Sequence, residues 1–380
     1  MKEAGENMLV KWIEFENLET GLKIERVEFN RDITLLVGVS GAGKTQILNA
    51  VRYSLELATN KEESLHLYHC KLGIEIDNEE YEWEYVINKN ENKEMLAVDN
   101  EQYCFVKESL KRGEEQLFLR ENEKVHIIGY DRVPMPKKSE SLLAQYAEDE
   151  VFEKVVKEIA KLYLMETDIE FMFGTSKELF DKFLYIFVKS CNFIKEKNFR
   201  LKMLSHLPIE IKLHLTKLYF KDTYSDILNS IKDIFPEIED IHVIEDTQRK
   251  EYKIAIQVYG KKLMQHEISN GMLKSIYYIV ELYTMSENSV VLIEEFENGL
   301  GENCINVLAE LIMEERKDLQ FIITSHHPKI INGIEPCKWK IIDREISVIK
   351  NYSSEQYGIE NSKHEPYFNL VNRLAFEGKI

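Results

Sequence analysis

The stretch Ile33-Thr34-Leu35-Leu36-Val37-Gly38-Val39-Ser40-Gly41-Ala42-Gly43-Lys44-Thr45 decides the fold of this chain. Its first five residues are rich in apolar side chains, which is typical of a buried parallel strand. The next eight match the pattern G-x-x-x-x-G-K-[ST] of a phosphate-binding loop. Apolar residues then recur at helical spacing, at Ile47, Leu48, Val51 and Leu55. The motif therefore lies between a predicted strand and a predicted helix, which is the context that it requires.

The residue types of this loop indicate how it binds phosphate. Its glycines allow the backbone N–H groups to turn inward around phosphate oxygens, and the following helix points its positive dipole end at the same anion. Lys44 can reach the β- and γ-phosphates, and the Thr45 hydroxyl can hold Mg²⁺. The predicted nucleotide-binding residues are Gly38, Val39, Ser40, Gly41, Ala42, Gly43, Lys44 and Thr45.

Length and composition limit the class of protein. The 380 residues are enough for two domains, or for one large domain with an insertion, and a hydrophobic content of 44% predicts a packed core. The net charge of −18 argues against a broad basic surface for nucleic acid. The five cysteines are scattered without a C-x-x-C pair, which favours the cytosol. We expect no signal peptide and no membrane-spanning segment.

The pattern of apolar and polar residues changes along the chain. Residues 8–30 read as a β-hairpin that leads into the loop strand, and residues 70–130 read as an antiparallel meander. From 139 to about 236 the pattern becomes helical, and residues 240–259 return to strands. We therefore expect three segments, with residues 137–236 as a helical insertion between residues 1–136 and residues 237–380.

Two motifs in or beside the meander are explained more simply by local structure than by a binding site. Asn88-Lys89-Asn90-Glu91 resembles the guanine-reading N-K-x-D of GTPases, but its last residue differs and it lies in a polar cluster typical of a hairpin turn. His66, His69 and Cys70 have the spacing of metal ligands. No second cluster completes a site, so we interpret them as isolated residues at the start of a strand.

Three motifs follow one another in the last third of the chain. The first is Ser269-Asn270-Gly271, which precedes an apolar helix through Tyr283. The second is the buried strand 290–293, followed directly by Glu294 and Glu295. The third is the strand 319–324, followed by Ser325, His326 and His327. Two further strands are predicted over 338–350, and a short helix near 367–374.

The second and third motifs place acid–base groups at the carboxyl ends of parallel strands, which is where open α/β sheets bind ligands. One carboxylate can hold Mg²⁺, usually through water, and the next can orient or deprotonate the attacking water. A neutral imidazole from the neighbouring strand can hydrogen-bond a γ-phosphate and sense its loss.

The order of these motifs resembles that of an ABC-type ATPase head of the RecF/Rad50/SMC branch. It is most similar to the stand-alone AAA-15/AAA-21 ATPases related to the OLD family. The resemblance implies an α/β P-loop NTPase fold with an antiparallel β subdomain and a helical insertion. It also implies binding of ATP and Mg²⁺, ATP hydrolysis to ADP and phosphate, and a homodimer or higher homo-oligomer.

The resemblance also implies a role for each motif. Residues 38–45 take the Walker A position. Ser269 and Gly271 match the signature motif, which contacts the γ-phosphate held by the opposite subunit. Glu294 takes the Walker B position, with Thr45 as a second Mg²⁺ ligand, and residues 297–300 resemble the D-loop. Glu295 takes the position of the catalytic glutamate and His326 that of the switch histidine.

The chain also departs from the family pattern. Glu294 stands where an aspartate is usual, and the signature reads Ser-Asn-Gly rather than Ser-Gly-Gly. The Q-loop is not identifiable; Gln145 and the segment at Arg132 are candidates. The insertion is too short for coiled-coil arms. The 53 residues after His327 are too few for the nuclease domain that follows the ATPase in OLD proteins, so a separate nuclease or toxin is expected to be the effector.

The resemblance to this family, and no other feature, implies the sensor or regulator ATPase of a phage-defence module. Two alternatives remain: a RecF-like DNA-repair ATPase that clamps DNA, and a nucleotide-dependent scaffold that hydrolyses little ATP.

Overall fold

The computed structural model describes residues 8–59, 64–89, 103–121, 124–133, 135–165, 172–191, 203–359 and 366–376. The strands in chain order are β1 (Met8–Asn17), β2 (Leu22–Glu28), β3 (Ile33–Val37), β4 (Tyr68–Ile76), β5 (Glu79–Lys89), β6 (Tyr103–Arg112), β7 (Glu115–Glu121), β8 (Lys124–Ile127), β9 (Leu162–Met165), β10 (Thr175–Ser176), β11 (Ile238–Asp246), β12 (Glu251–Val258), β13 (Lys261–Met264), β14 (Val290–Ile293), β15 (Gln320–Thr324), β16 (Trp339–Glu345) and β17 (Val348–Ser353).

The helices in chain order are α1 (Lys44–Ala58), α2 (Leu142–Gln145), α3 (Glu153–Ile159), α4 (Lys177–Cys191), α5 (Ile209–Tyr219), α6 (Lys221–Ile234), α7 (Asn270–Thr284), α8 (Glu302–Glu310), α9 (Pro328–Gly333) and α10 (Pro366–Phe376). Among the described helices, none combines the length and the apolarity needed to cross a bilayer.

The chain divides into two compact units. The first contains residues 1–164, 288–294 and 319–380, and the second contains residues 165–287 and 295–318. This division differs from the three consecutive segments expected from the sequence. Strands β14 and β15 belong to the sheet of the first unit, whereas residues 295–318 between them belong to the second unit. As a result the boundary falls between Glu294 and Glu295.

The first unit is built on one large sheet with the strand order β8-β7-β6-β5-β4-β1-β2-β17-β16-β3-β15-β14-β9. The β1–β2 hairpin is antiparallel, and β4 to β8 form an antiparallel meander. Both features confirm the predictions for residues 8–30 and 70–130. The sheet encloses an aromatic core whose most buried members include Trp83, Tyr85 and Phe105.

The parallel part of this sheet carries the phosphate-binding loop. Strand β3 is buried at all five positions and lies between β15 and β16, with both pairs parallel. Strand β14 pairs in parallel with the other side of β15. In this register Ile323 lies opposite both Leu35 and Ile293. The three strands therefore end at the same edge, because parallel strands present their carboxyl ends together.

The second unit contains α4 to α8 and a small antiparallel sheet in which β12 pairs with β10, β11 and β13. Phenylalanine and aliphatic side chains form its core cluster: Phe180, Phe187, Leu204, Ile211, Leu215 and Phe220. Helices over 177–191, 209–219 and 221–234 confirm the predicted helical pattern. The expected helical insertion nevertheless contains β9 and β10, and its first helices, α2 and α3, belong to the first unit.

Candidate functional site

The phosphate-binding loop connects β3 to α1, as the sequence predicts. Gly41 and Gly43 have left-handed φ angles of +81° and +108°, which β-carbon-bearing residues rarely adopt. Gly43 also has no room for a side chain, since a Cβ there would lie 2.3 Å from Cδ1 of Ile349. At Gly38 a Cβ would lie 2.4 Å from the carbonyl oxygen of Ile342. These glycines are therefore fixed by the backbone and by the strands β16 and β17.

Lys44 lies inside this loop. Its side chain is 6% exposed, and its ammonium donates hydrogen bonds to the carbonyl oxygens of Gly38 (2.9 Å) and Val39 (3.0 Å). The positive charge is thus held at the first turn of α1, where the helix dipole also favours an anion. This placement suits a lysine that binds phosphate as a point charge.

Thr45 and Glu294 contact each other at the carboxyl edge of the sheet. The Thr45 hydroxyl donates a hydrogen bond of 2.5 Å to Oε1 of Glu294, and the two residues are 249 positions apart in the chain. Hard cations such as Mg²⁺ prefer oxygen ligands and are usually bound by one or two carboxylates together with substrate phosphates. A hydroxyl and a carboxylate beside a phosphate-binding loop fit this requirement.

His326 follows β15 at the same edge of the first unit. Its side chain is exposed, whereas Ser325 before it is buried. The hydroxyl of Ser325 accepts a hydrogen bond of 3.0 Å from the backbone N–H of His327, which turns the chain into α9. The first unit therefore contains the loop, Thr45, Glu294 and His326 on neighbouring strand ends. The functional role of His326 stays a prediction.

The signature residues lie in the second unit. Ser269 is the N-cap of α7, and its hydroxyl accepts a hydrogen bond of 3.3 Å from the N–H of Met272. Ser269 and Asn270 are exposed. A Cβ at Gly271 would lie 3.2 Å from the carbonyl oxygen of Gly299, so glycine permits close packing of α7 against the turn that follows Glu295.

Glu295 begins that turn and is also in the second unit. Its φ angle is +44°, an uncommon conformation for a residue other than glycine. Its carbonyl oxygen accepts a hydrogen bond of 2.8 Å from the N–H of Asn298, and Glu297 accepts one of 3.0 Å from Leu300. The carboxylate of Glu295 is exposed. Of the two adjacent glutamates, Glu294 thus belongs to the first unit and Glu295 to the second.

The remaining candidates from the sequence have structural explanations. Gln145 donates to the carbonyl oxygens of Lys137 and Glu140 and accepts from the N–H of Lys137, so its amide holds the segment before α2. Arg132 is exposed in the described segment 124–133. Within the described residues, no group of three or more His, Cys, Asp or Glu side chains is arranged for a metal ion. The N-K-x-E motif lies partly outside the described residues.

Sequence reasoning missed one residue beside the signature. Lys274 is buried in α7, and its ammonium donates a hydrogen bond to the carbonyl oxygen of Asn298. The only signal in the sequence is its position, five residues after Ser269 and on the same helix.

A family model and several solved structures resemble this chain. The family model described as "AAA domain, putative AbiEii toxin, Type IV TA system" (AAA_21) matches residues 210–332, which include the signature, both glutamates and His326. No curated protein matches the chain.

Similar solved structures include three SMC head domains, each 12% identical to this chain. The head bound to the C-winged helix domain of ScpA covers 91% of this chain and 98% of its own, with a TM-score of 0.47. The head with an extended coiled coil, bound to the C-terminal domain of ScpA from Pyrococcus furiosus, covers 92% and 97% with a TM-score of 0.48. The Thermotoga maritima head covers 90% and 98% with a TM-score of 0.43.

The fold and the loop define an α/β protein of the P-loop nucleotide-binding class. Within this class, the AAA_21 match agrees with the AAA_21 part of the resemblance inferred from the sequence.

Proposed function

We propose that this protein binds ATP with Mg²⁺, hydrolyses it, and uses the cycle as a switch that dimerises around nucleotide. The observation that carries the proposal is the contact between the Thr45 hydroxyl and the Glu294 carboxylate, directly beside the Lys44 ammonium at the first turn of α1. A cation-binding pair next to a phosphate-binding loop is the arrangement that a nucleoside triphosphate requires.

In this proposal each residue of the first unit has a distinct task. The backbone N–H groups of residues 38–45 and the Lys44 ammonium bind the phosphates, and Thr45 and Glu294 would hold Mg²⁺. When bound, the metal ion would neutralise charge on the phosphate oxygens. The imidazole of His326 would hydrogen-bond the γ-phosphate, and Glu295 would orient and deprotonate the attacking water.

The signature motif supports a site shared between two chains. Ser269 and Asn270 are exposed at the N-terminus of α7, where backbone N–H groups and the helix dipole favour an anion. By resemblance, Ser269 and Gly271 would contact the γ-phosphate bound by the opposite subunit. Each complete site would then take Lys44 from one chain and Ser269 from the other.

The biological role that we propose is the sensor or regulator of a phage-defence module that acts with a separate nuclease or toxin. This role follows from the resemblance to AAA_21 and OLD-type ATPases. A host that carries this gene with its neighbour should resist phage, and a Glu295→Gln variant should change that protection. Equal resistance with and without the gene would contradict the role while leaving the ATPase proposal intact.

A second candidate function is a nucleotide-dependent scaffold that hydrolyses little ATP. Glu294 favours it, because the longer side chain already contacts Thr45 directly. Tight ATP binding without measurable phosphate release would distinguish the scaffold from the ATPase.

The experiment that tests ATP binding compares the parent protein with a Lys44→Ala variant in calorimetry with ATP and Mg²⁺, followed by phosphate release. Removing the loop cation should abolish binding or turnover. Lys111→Ala is the matched control, since Lys111 is exposed on β6 and six strands lie between β6 and β3 in the sheet. Unchanged affinity and turnover in Lys44→Ala would exclude the phosphate-loop assignment.

A further inference from the structure

A buried lysine links the signature helix to the turn that carries Glu295. Lys274 is 3% exposed, in a part of α7 where neighbouring side chains are also buried. Its ammonium donates a hydrogen bond to the carbonyl oxygen of Asn298 and lies 5.5 Å from the ring centre of Tyr278. A buried ammonium retains its charge only with such partners, because leaving water is costly.

The carboxylates of the turn complete this environment. Burial lowers the pKa of Lys274, whereas the charges of Glu295 and Glu297 act to raise it. All four residues of this cluster, Lys274, Glu295, Glu297 and Asn298, belong to the second unit. The cation therefore attracts the same turn through a backbone carbonyl and through two side chains.

Residues other than Lys274 also pack the turn tightly against α7. A Cβ on Gly271 would lie only 3.2 Å from the carbonyl oxygen of Gly299. The rings of Phe296 and Tyr278 are stacked, with their centres 6.0 Å apart. Lys274 thus lies in a continuous contact between the start of α7 and residues 295–299. The first residue of this turn, Glu295, has a left-handed φ of +44°.

We propose that Lys274 is a positioning residue for ATP hydrolysis, which holds the Glu295 turn on the signature helix so that the two move as one body. This inference rests on the proposed ATPase function. In a dimer with shared sites, the signature of one chain would contact the nucleotide bound by its partner, while Glu295 would serve the nucleotide bound by its own chain. Lys274 would then connect the two sites through a single chain.

The test separates positioning from simple stabilisation. Lys274→Met keeps the length and apolar volume of the side chain but removes the ammonium. We expect kcat to fall by roughly 10- to 100-fold, the usual effect of a misplaced catalytic group. The affinity for a non-hydrolysable ATP analogue should stay within about twofold, since the phosphate-binding loop is untouched. Lys274→Arg keeps the charge and should recover part of kcat.

Lys217→Met is the matched control within the same unit. Lys217 also donates to a backbone carbonyl, that of Ile241 (2.8 Å), and lies 5.1 Å from a tyrosine ring, that of Tyr224. Its loss should leave kcat unchanged in the folded protein. If Lys274→Met does not fold, as judged by circular dichroism, Lys274→Leu replaces it, because leucine also removes both the charge and the hydrogen-bond donor.

Two results would overturn the inference: a folded Lys274→Met or Lys274→Leu protein with parental kcat, or a loss of analogue affinity as large as the loss of kcat. Failure of the proposed ATPase function would give a different experimental result. In that case the parent protein itself would bind no ATP, or would release no phosphate, and Lys44→Ala would match it.

Discussion

The Thr45 hydroxyl and the Glu294 carboxylate are joined by a hydrogen bond of 2.5 Å, although they come from opposite ends of the chain. One follows the phosphate-binding loop and the other follows β14, and β15 separates their strands in the sheet. The contact exists because both strands run parallel and end at the same edge. It defines the place where a cation and a phosphate would meet.

The first prediction concerns this pair. Glu294→Gln keeps the hydrogen-bond acceptor for Thr45 but removes the negative charge that favours a divalent cation. The Mg²⁺ concentration for half-maximal ATP hydrolysis should rise by roughly tenfold or more, the usual effect of altering a group around a metal site. Glu294→Asp restores the charge and should restore the Mg²⁺ dependence in part. A Mg²⁺ titration that is identical in the parent and in Glu294→Gln would contradict the assignment.

The second prediction concerns Glu295. Glu295→Gln preserves the shape of the side chain but cannot accept a proton, so ATP should bind and persist while hydrolysis falls by roughly 10²–10⁴-fold. Phosphate release and calorimetry measure the two effects separately. If Glu294→Gln reduces hydrolysis more than Glu295→Gln while both still bind ATP, the roles of the two carboxylates are reversed.

The third prediction concerns the glycines of the loop. Gly43→Ala would place a Cβ 2.3 Å from Ile349, at a φ of +108°, so we expect loss of ATP binding. Gly113→Ala is the control, because Gly113 also has a positive φ but nothing lies within 4 Å of its Cβ position. That variant should lose only about 1–2 kcal/mol of stability and keep its affinity. Equal affinities in the two variants would show that the close contact at Gly43 is not required.

The fourth prediction concerns the shared site. A Lys44→Ala dimer has two defective sites, and so has a Ser269→Arg dimer, because the bulky cation blocks the place of the γ-phosphate. In a mixed dimer one site combines the intact Lys44 of one chain with the intact Ser269 of the other. Mixing the two inactive proteins should therefore restore about half of the parental activity at most, if the sites act independently.

Subunit exchange is the control for this experiment, and two different affinity tags on the two variants verify it. Mixed dimers that form but stay inactive leave two explanations, concerted sites or no shared site. Light scattering of Glu295→Gln with ATP decides between them, since a protein that remains monomeric with ATP bound would exclude the shared site.

The fifth prediction concerns stability in the second unit. Lys212 and Glu281 form a buried ion pair of 2.5 Å, in which burial lowers the pKa of the lysine and raises that of the glutamate. Lys212→Met leaves a buried carboxyl group without this partner and should lower the free energy of unfolding by about 3–5 kcal/mol. The double variant Lys212→Met/Glu281→Leu should recover most of this loss. Urea unfolding measures both, and a double variant less stable than the single one would contradict the argument.

Local patterns explain which parts of the fold could be predicted from the sequence. Strand β5 alternates buried with less buried residues, and short turns join several strands of the β4–β8 meander, so the pairing of these strands follows from short-range signals. The loop glycines and Lys44 were recognisable because phosphate binding fixes their spacing. The contact between Thr45 and Glu294 could be expected from the same logic, since the motifs place Thr45 after β3 and Glu294 directly after β14.

The parts that could not be predicted depend on distant contacts. Strand β10 has two residues and exists only because Thr175 and Ser176 pair with β12. Lys274 has the sequence environment of any lysine on an apolar helix, and the role proposed for it rests on a carbonyl group 24 residues later. The boundary between Glu294 and Glu295 leaves no mark in composition, because it reflects where β14 ends and the chain leaves the sheet.

The position of β3 in the sheet has a consequence for synthesis on the ribosome. Its two neighbours, β15 and β16, are translated long after it, and so are Ile342 and Ile349, which contact the loop glycines. A nascent chain that has emerged only as far as α8 has the complete phosphate-binding motif but neither strand that flanks it. Nucleotide binding should therefore begin only after residues 339–353 have been translated, so a shorter nascent chain should not bind ATP.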